Sequence, residues 1–197
     1  MMIKKVFSCI IAIVILNVIF INTADEEKGK VLKVPFVKQE GRYECGVAAL
    51  MSLLKWNDIS FTYEEVKRGI YSESAKGTFP VSIELFLRNK KLPYQTLEGN
   101  LDMLKRLIEH DIPSIALLKS KAGFLSINHY YVVIGFEKDK IVVHDGSKAF
   151  RTMDSKKFMK KWSESSYWLL HLGGNGEWMK RSDLCRPEGI SEFGPGL

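Results

Sequence analysis

Residues 39–50 read Gln39-Glu40-Gly41-Arg42-Tyr43-Glu44-Cys45-Gly46-Val47-Ala48-Ala49-Leu50. Gly41 and Gly46 bracket a turn, and Val47 to Leu54 is an apolar run of helix formers without proline. The pattern predicts a loop that becomes a helix at Cys45. A cysteine in the first helical turn faces backbone N–H groups that have no intrahelical partner. The partial positive charge there favours the thiolate. The same N–H groups can hold a developing oxyanion, and the side-chain amide of Gln39 can add a second donor. A cysteine flanked by Ala, Val and Leu also suits a plain role as a small buried hydrophobe. Partners elsewhere in the chain have to separate the two.

At 197 residues, 46% of them hydrophobic, the chain has the size and apolar content of one domain with a proper core. The formal net charge is +6, and Lys4 and Lys5 are the only charges before Asp25. No Lys/Arg run interleaved with aromatics occurs, so composition gives no sign of nucleic-acid binding. Lys4-Lys5 precedes an apolar run, residues 6–21, followed by Asn22-Thr23-Ala24 and the acidic Asp25-Glu26-Glu27. This is the layout of a signal peptide or N-terminal membrane anchor over residues 1–24, with the rest of the chain exported. The expected locale is the periplasm or cell envelope of a bacterium. In an oxidising compartment the remaining Cys45 and Cys185 are also candidates for a disulfide, which would remove any nucleophile.

From residue 25 to 172 the order of elements predicts an α+β domain, with helices first and antiparallel strands second. Helices are expected over Cys45–Trp56, from the Thr62–Glu65 capping box to about Tyr71, and from Pro80, with Val81, Ile83, Leu85 and Leu87 inward. Asn100 and Asp154 are placed to cap two more. Strands are expected at Tyr94–Leu97, Pro113–Leu118, His129–Phe136, Ile141–Asp145 and Tyr167–Leu172. Residues 72–78 and 119–124 read as loops. Residues 173–197 read as a Gly- and Pro-rich tail.

A cysteine nucleophile needs a base and a group that orients the base. Of the four histidines, His110 ends a helix and His171 sits late in the last strand with no acid beside it. His144 and Asp145 alternate along one strand and so point to opposite faces. His129 begins the neighbouring strand of the same hairpin, which makes His129 and Asp145 cross-strand neighbours. A half-buried strand histidine and a turn aspartate before Gly146 are the plainer readings of these two residues.

Together, Gln39 six residues before Cys45-Gly46, His129-Tyr130-Tyr131-Val132-Val133, and Asp145-Gly146 resemble the C39 family of papain-like cysteine peptidases, which process bacteriocin leaders. The resemblance spans about residues 31–172. It implies a papain-like fold with an N-terminal helical half and a C-terminal antiparallel sheet. It further implies Cys45 as nucleophile, His129 as base, Asp145 as the orienting group and Gln39 as oxyanion donor, acting on a peptide or protein substrate after Gly-Gly. Two features depart from the family: its best-known members are cytosolic N-terminal domains of ABC exporters, whereas this sequence carries an export-like segment, and Asp145-Gly146 replaces the frequent Asp-Pro. No nucleotide motif occurs, so no ATP is implied, and the cysteines and histidines lack metal-ligand spacing, so neither metal nor cofactor is. A cell-envelope amidase or transpeptidase with the same triad, or a silent peptide-binding module, are the other functions compatible with these residues.

Overall fold

The computed structural model describes residues 29–122 and 125–173. The expected signal or anchor over residues 1–24, Cys185 and the tail beyond Gly173 lie outside the described residues. Among the described residues no helix is long and apolar enough to cross a membrane.

Helix α1, Cys45–Trp56, starts where the glycine-bracketed turn ends and stops at Asn57. Every residue from Gly46 to Leu54 is buried, and the one polar side chain in that stretch, Ser52, donates to the Ala48 carbonyl at 3.1 Å. Helix α2, Tyr63–Ile70, opens with a complete capping box: Thr62 Oγ1 accepts the Glu65 N–H, and the Glu65 carboxylate accepts the Thr62 N–H. The polar stretch after it is not a plain loop. Strands β2, Tyr71–Ser72, and β3, Gly77–Thr78, pair there as a small hairpin.

Helix α3, Pro80–Asn89, carries its proline in the first turn, as expected. Its inward face differs from the expectation. Ile83, Phe86 and Leu87 are buried, whereas Val81 is 57% and Leu85 40% exposed. At 100° per residue, positions 83, 86 and 87 share one face, and 81 and 85 fall on the other. Strand β4, Tyr94–Glu98, and helix α4, Leu101–Glu109, follow. The Asn100 side chain caps α4 by accepting the Met103 N–H at 2.8 Å.

The second half is a long antiparallel ladder. Strands β5, Ser114–Ala122, and β6, Leu125–Glu137, pair from Ser114↔Val133 to Ala122↔Leu125. Residues 119–122, expected in a loop, continue this pairing. A ladder satisfies its own backbone groups, so it can run on through a polar Lys-Ser-Lys sequence that has no strand propensity of its own. Strands β7, Lys140–His144, and β8, Arg151–Asp154, extend the sheet on the other side of β6. Helix α5, Ser155–Ser163, buries Phe158 and Trp162, and β9, Trp168–Leu172, returns between β4 and β5. The sheet order is β4-β9-β5-β6-β7-β8, with β1, Lys30–Val31, paired to the end of β6. A side chain at Gly135 would place its Cβ 2.5 Å from the Lys30 carbonyl, so only glycine lets β1 close on β6. Helix α1 packs across β6, so the start of α1 meets the early residues of β6. The fold is α+β.

Candidate active site

Cys45 is the first residue of α1, and Glu44 before it makes no side-chain cap, so the N–H groups of the first turn stay available to groups other than a cap. Cys45 is a free cysteine and half-buried. The His129 side chain, from β6, lies close enough to bias its charge. Burial pushes the Cys45 thiol up, but the hydrogen bond and charge of His129, with the backbone N–H groups of Tyr130 and Gly46, bring it below the usual thiol value. Burial pushes His129 down, but the thiolate and the Asp145 carbonyl raise it above the usual imidazole value. The two shifts run in opposite directions, and both favour a thiolate–imidazolium pair.

His129 Nε2 lies 2.7 Å from the main-chain oxygen of Asp145. A carbonyl oxygen can only accept, so Nε2 carries the proton and Nδ1 is the nitrogen left to face Cys45. Tyr131 meets the His129 ring edge-on, 4.7 Å between centroids, and is itself buried. The ring is therefore fixed by one hydrogen bond and one aromatic wall.

The sequence placed the Asp145 side chain against His129; the structure places it elsewhere. Asp145 Oδ1 accepts from Ser147 N–H at 2.9 Å, Ser147 Oγ–H at 2.8 Å and Lys148 N–H at 2.7 Å. Oδ2 accepts from Arg151 at 2.7 Å. Pairing along the hairpin ends at Val132↔His144, so the chain leaves the sheet at Asp145 and turns its backbone, not its carboxylate, to the histidine. Burial alone would raise this carboxyl, but Arg151 and the turn donors hold it at about 2. The carboxylate organises the 145–148 turn that aims its own carbonyl.

Gln39 sits beside this turn. Its backbone N–H donates to the Gly146 carbonyl at 2.9 Å. Its side-chain Nε2 donates to the Gly41 carbonyl at 2.8 Å and to the Arg42 carbonyl at 3.1 Å. Its Oε1 is buried without a hydrogen-bond partner, packed where Gly146 has no Cβ. Gly146 has φ +76°, and a Cβ there would lie 2.7 Å from Oε1 and 3.8 Å from the Cys45 Cα. The expected oxyanion donor thus turns Oε1, an acceptor, toward Gly146, and its N–H groups are engaged by the loop carbonyls.

The other histidines are tied into structure. His144 is buried; its Nε2 donates to the Val34 carbonyl at 3.0 Å, and its Nδ1 accepts the Phe150 N–H at 3.1 Å. His171 is fully buried in β9. His110 closes α4 and donates through Nδ1 to the Arg106 carbonyl at 2.8 Å. Arg151, Tyr131 and Glu44 were not singled out from sequence. An arginine opening a short strand and an acid directly before the cysteine were the only local signs of two of them. Among the described residues no group of three His, Cys, Asp or Glu side chains converges as a metal site.

No curated protein matches the chain. Solved structures do share its fold. A C39-like peptidase from Bacillus anthracis is 14% identical, with a TM-score of 0.62, over 77% of this chain and 100% of that one. The peptidase domain of Streptococcus ComA, a bifunctional ABC transporter of a quorum-sensing pathway, is 18% identical with a TM-score of 0.59, over 72% and 99%. A double-glycine-motif protease from an AMS/PCAT transporter, solved in complex with its leader peptide, is 18% identical with a TM-score of 0.57, over 74% and 95%. The model of the peptidase C39 family matches residues 33–171, which takes in the α1 cysteine, the β6 histidine and the turn at Asp145. The chain belongs to the peptidase C39 family and is a cysteine peptidase.

Proposed function

We propose that Cys45 is the nucleophile and His129 its base, that the Asp145 carbonyl orients the base, and that the Cys45 N–H and Gln39 amide hold the oxyanion. The observation that carries this is Cys45 at the first turn of α1 with His129, held at Nε2 by the Asp145 carbonyl at 2.7 Å, shifting it toward the ion pair. The Cys45 thiolate attacks the carbonyl carbon of the scissile peptide. The carbonyl electrons move to oxygen, where the oxyanion accepts from the Cys45 N–H at the helix start. A charged oxyanion is a stronger acceptor than a neutral carbonyl. It displaces the longer, exposed Gln39–Arg42 contact and takes that amide proton, while the Gly41 contact keeps the side chain in place. As the intermediate collapses, the C–N bond breaks and His129 Nδ1 gives its proton to the leaving amine. His129 then takes a proton from water, hydroxide adds to the thioester, and the acid leaves with regeneration of the thiolate.

The substrate proposed is a peptide cut after two glycines. The support is that a fold neighbour is a double-glycine-motif protease in complex with a leader peptide. Export through residues 1–24 is proposed on the sequence layout alone, and N-terminal sequencing of the protein from cell fractions tests it.

Wild-type protein and Cys45→Ala, incubated with a fluorogenic peptide ending in Gly-Gly-aminomethylcoumarin, test the function. Turnover by wild type and none by a folded Cys45→Ala supports the reading. Full activity in Cys45→Ala overturns it. Transfer of the acyl group to an added amine in preference to water would favour the transpeptidase instead.

A further inference from the structure

Glu44 is buried immediately before the nucleophile, at a position where an acid could cap α1 and does not. A carboxylate taken out of water must be neutralised and fully hydrogen-bonded. Here it is. Oε2 accepts the Gly41 N–H at 2.9 Å and the Tyr63 hydroxyl at 3.0 Å, and Oε1 pairs with Lys67 Nζ at 2.8 Å. Tyr63 and Lys67 are four apart on α2 and so present one face to the loop. The Tyr63 oxygen also accepts the Glu40 N–H at 3.2 Å. A Cβ at Gly41 would sit 2.6 Å from Glu44 Oε1, so glycine is what lets the carboxylate close on this loop.

The network does not end at Gly41. The N–H of Gly41 is held by Glu44, and its carbonyl accepts from Gln39 Nε2 at 2.8 Å. One residue thus links the Glu44–Lys67 pair to the Gln39 side-chain amide. We infer that the Lys67–Glu44 pair, with Tyr63, is a positioning device for Gln39: it fixes the Gly41 peptide whose carbonyl holds the Gln39 amide at the oxyanion site. The device acts on the oxyanion donor and leaves the thiolate to His129. This rests on the roles of Cys45 and Gln39 proposed above.

Two chemistries separate these effects. Iodoacetamide is attacked at a saturated carbon, forms no oxyanion, and reports only the thiolate. A Gly-Gly-aminomethylcoumarin peptide needs both. Lys67→Met and the milder Tyr63→Phe are expected to lower kcat on the peptide about 10-fold or more, short of the ~10²–10³ for outright loss of an oxyanion donor. KM, and the iodoacetamide rate against pH, stay at the wild-type values, and Lys67→Arg restores kcat. In the NMR spectrum, the Gln39 side-chain NH2 pair, assigned with Gln39→Glu, moves toward free-amide shifts in Lys67→Met. If the Gln39 signals hold and only melting temperature falls, the network is merely structural and the inference is overturned. A parallel fall in alkylation rate overturns it too, because the device would then act on the thiolate. Failure of wild type itself to turn over any peptide is failure of the proposed function, and the Gln39 signals then decide the inference alone.

Discussion

His129 is oriented by the main-chain oxygen of Asp145, 2.7 Å from Nε2, while the Asp145 carboxylate faces away and pairs with Arg151 at 2.7 Å. The acid therefore works at one remove. It builds the turn, and the turn presents the carbonyl.

Substitutions at Asp145 should separate these parts. Asparagine keeps an oxygen that can accept from Ser147 and Lys148, so the turn survives. Asp145→Asn is expected to keep activity within about 10-fold, whereas a carboxylate that itself orients the ring loses about 10⁴ on the same change. Asp145→Ala removes the turn acceptor and leaves Arg151 unpaired, and should cost about 10²-fold, toward the lower end of what a positioned base contributes. The measurement is kcat/KM on the Gly-Gly peptide; a 10⁴-fold loss in Asp145→Asn would refute the carbonyl role.

The pH window follows from the Cys45–His129 pair. Cys45 lies below the ordinary thiol value and His129 above the ordinary imidazole value. Both shifts favour the thiolate–imidazolium pair over the neutral one. Alkylation of Cys45 should fall on the acid side as the thiolate is protonated, with a midpoint below the ~8.5 of a free cysteine. Turnover should also fall at alkaline pH, once His129 loses the proton it gives to the leaving amine. In His129→Ala the alkylation midpoint should rise toward the free-thiol value.

Asp145 also makes an acid limb in stability. Its folded value of about 2 lies below the ordinary 3.8, so the unfolded chain binds the proton more readily. The contribution is present above about pH 4 and is lost as pH falls through about 2. A shift of this size corresponds to about 2 kcal/mol at ~1.4 kcal/mol per unit. Urea melts of wild type and Asp145→Asn should differ by a constant amount above pH 5, and the difference should shrink by about that much between pH 4 and 2.

Local sequence signals found the elements because each carries its own chemistry: the Thr62–Glu65 box, Pro80 in a first turn, the Asn100 and Asp154 caps. Pattern placed Cys45 at a helix start and His129 beside Asp145 in a hairpin, and the resemblance to the C39 family joined the two. What pattern could not give was which atoms of Asp145 and Gln39 point where. That depends on Arg151, six residues on, and on the Gly41 peptide, which answers to Lys67 of another helix. The misplaced Val81 and Leu85 are of the same kind. Both are apolar, and only the packing of α3 selects the Ile83, Phe86 and Leu87 face.

His144 should behave as structure, although it precedes Asp145. Burial holds it below the ordinary imidazole value, and its Nδ1 must stay unprotonated to accept from Phe150. Its stabilising contribution is full above about pH 6.5 and is lost as pH falls from there toward its folded value. His144→Ala should lower stability by about 2–4 kcal/mol, the cost of a buried cavity with the unpaired Phe150 N–H and Val34 carbonyl. The pH midpoint of Cys45 alkylation in the folded variant should not move; a shift would mean that His144 contributes to the base.

Gln39 tests the oxyanion site most directly. Gln39→Ala deletes the amide and should lower kcat by about 10²–10³, the usual cost of one oxyanion donor. It should leave the iodoacetamide rate at the wild-type value, because that reaction builds no negative oxygen. Gln39→Glu places a carboxylate against the Gly41 and Arg42 carbonyls, which the amide now satisfies as a donor. A charged acceptor facing two acceptors is repelled, and it also opposes the developing oxyanion. Gln39→Glu should therefore lose at least as much kcat as Gln39→Ala, and regain part of it as pH falls and the carboxyl becomes a donor. A Gln39→Ala enzyme with undiminished kcat would assign the oxyanion to the α1 N-terminus alone.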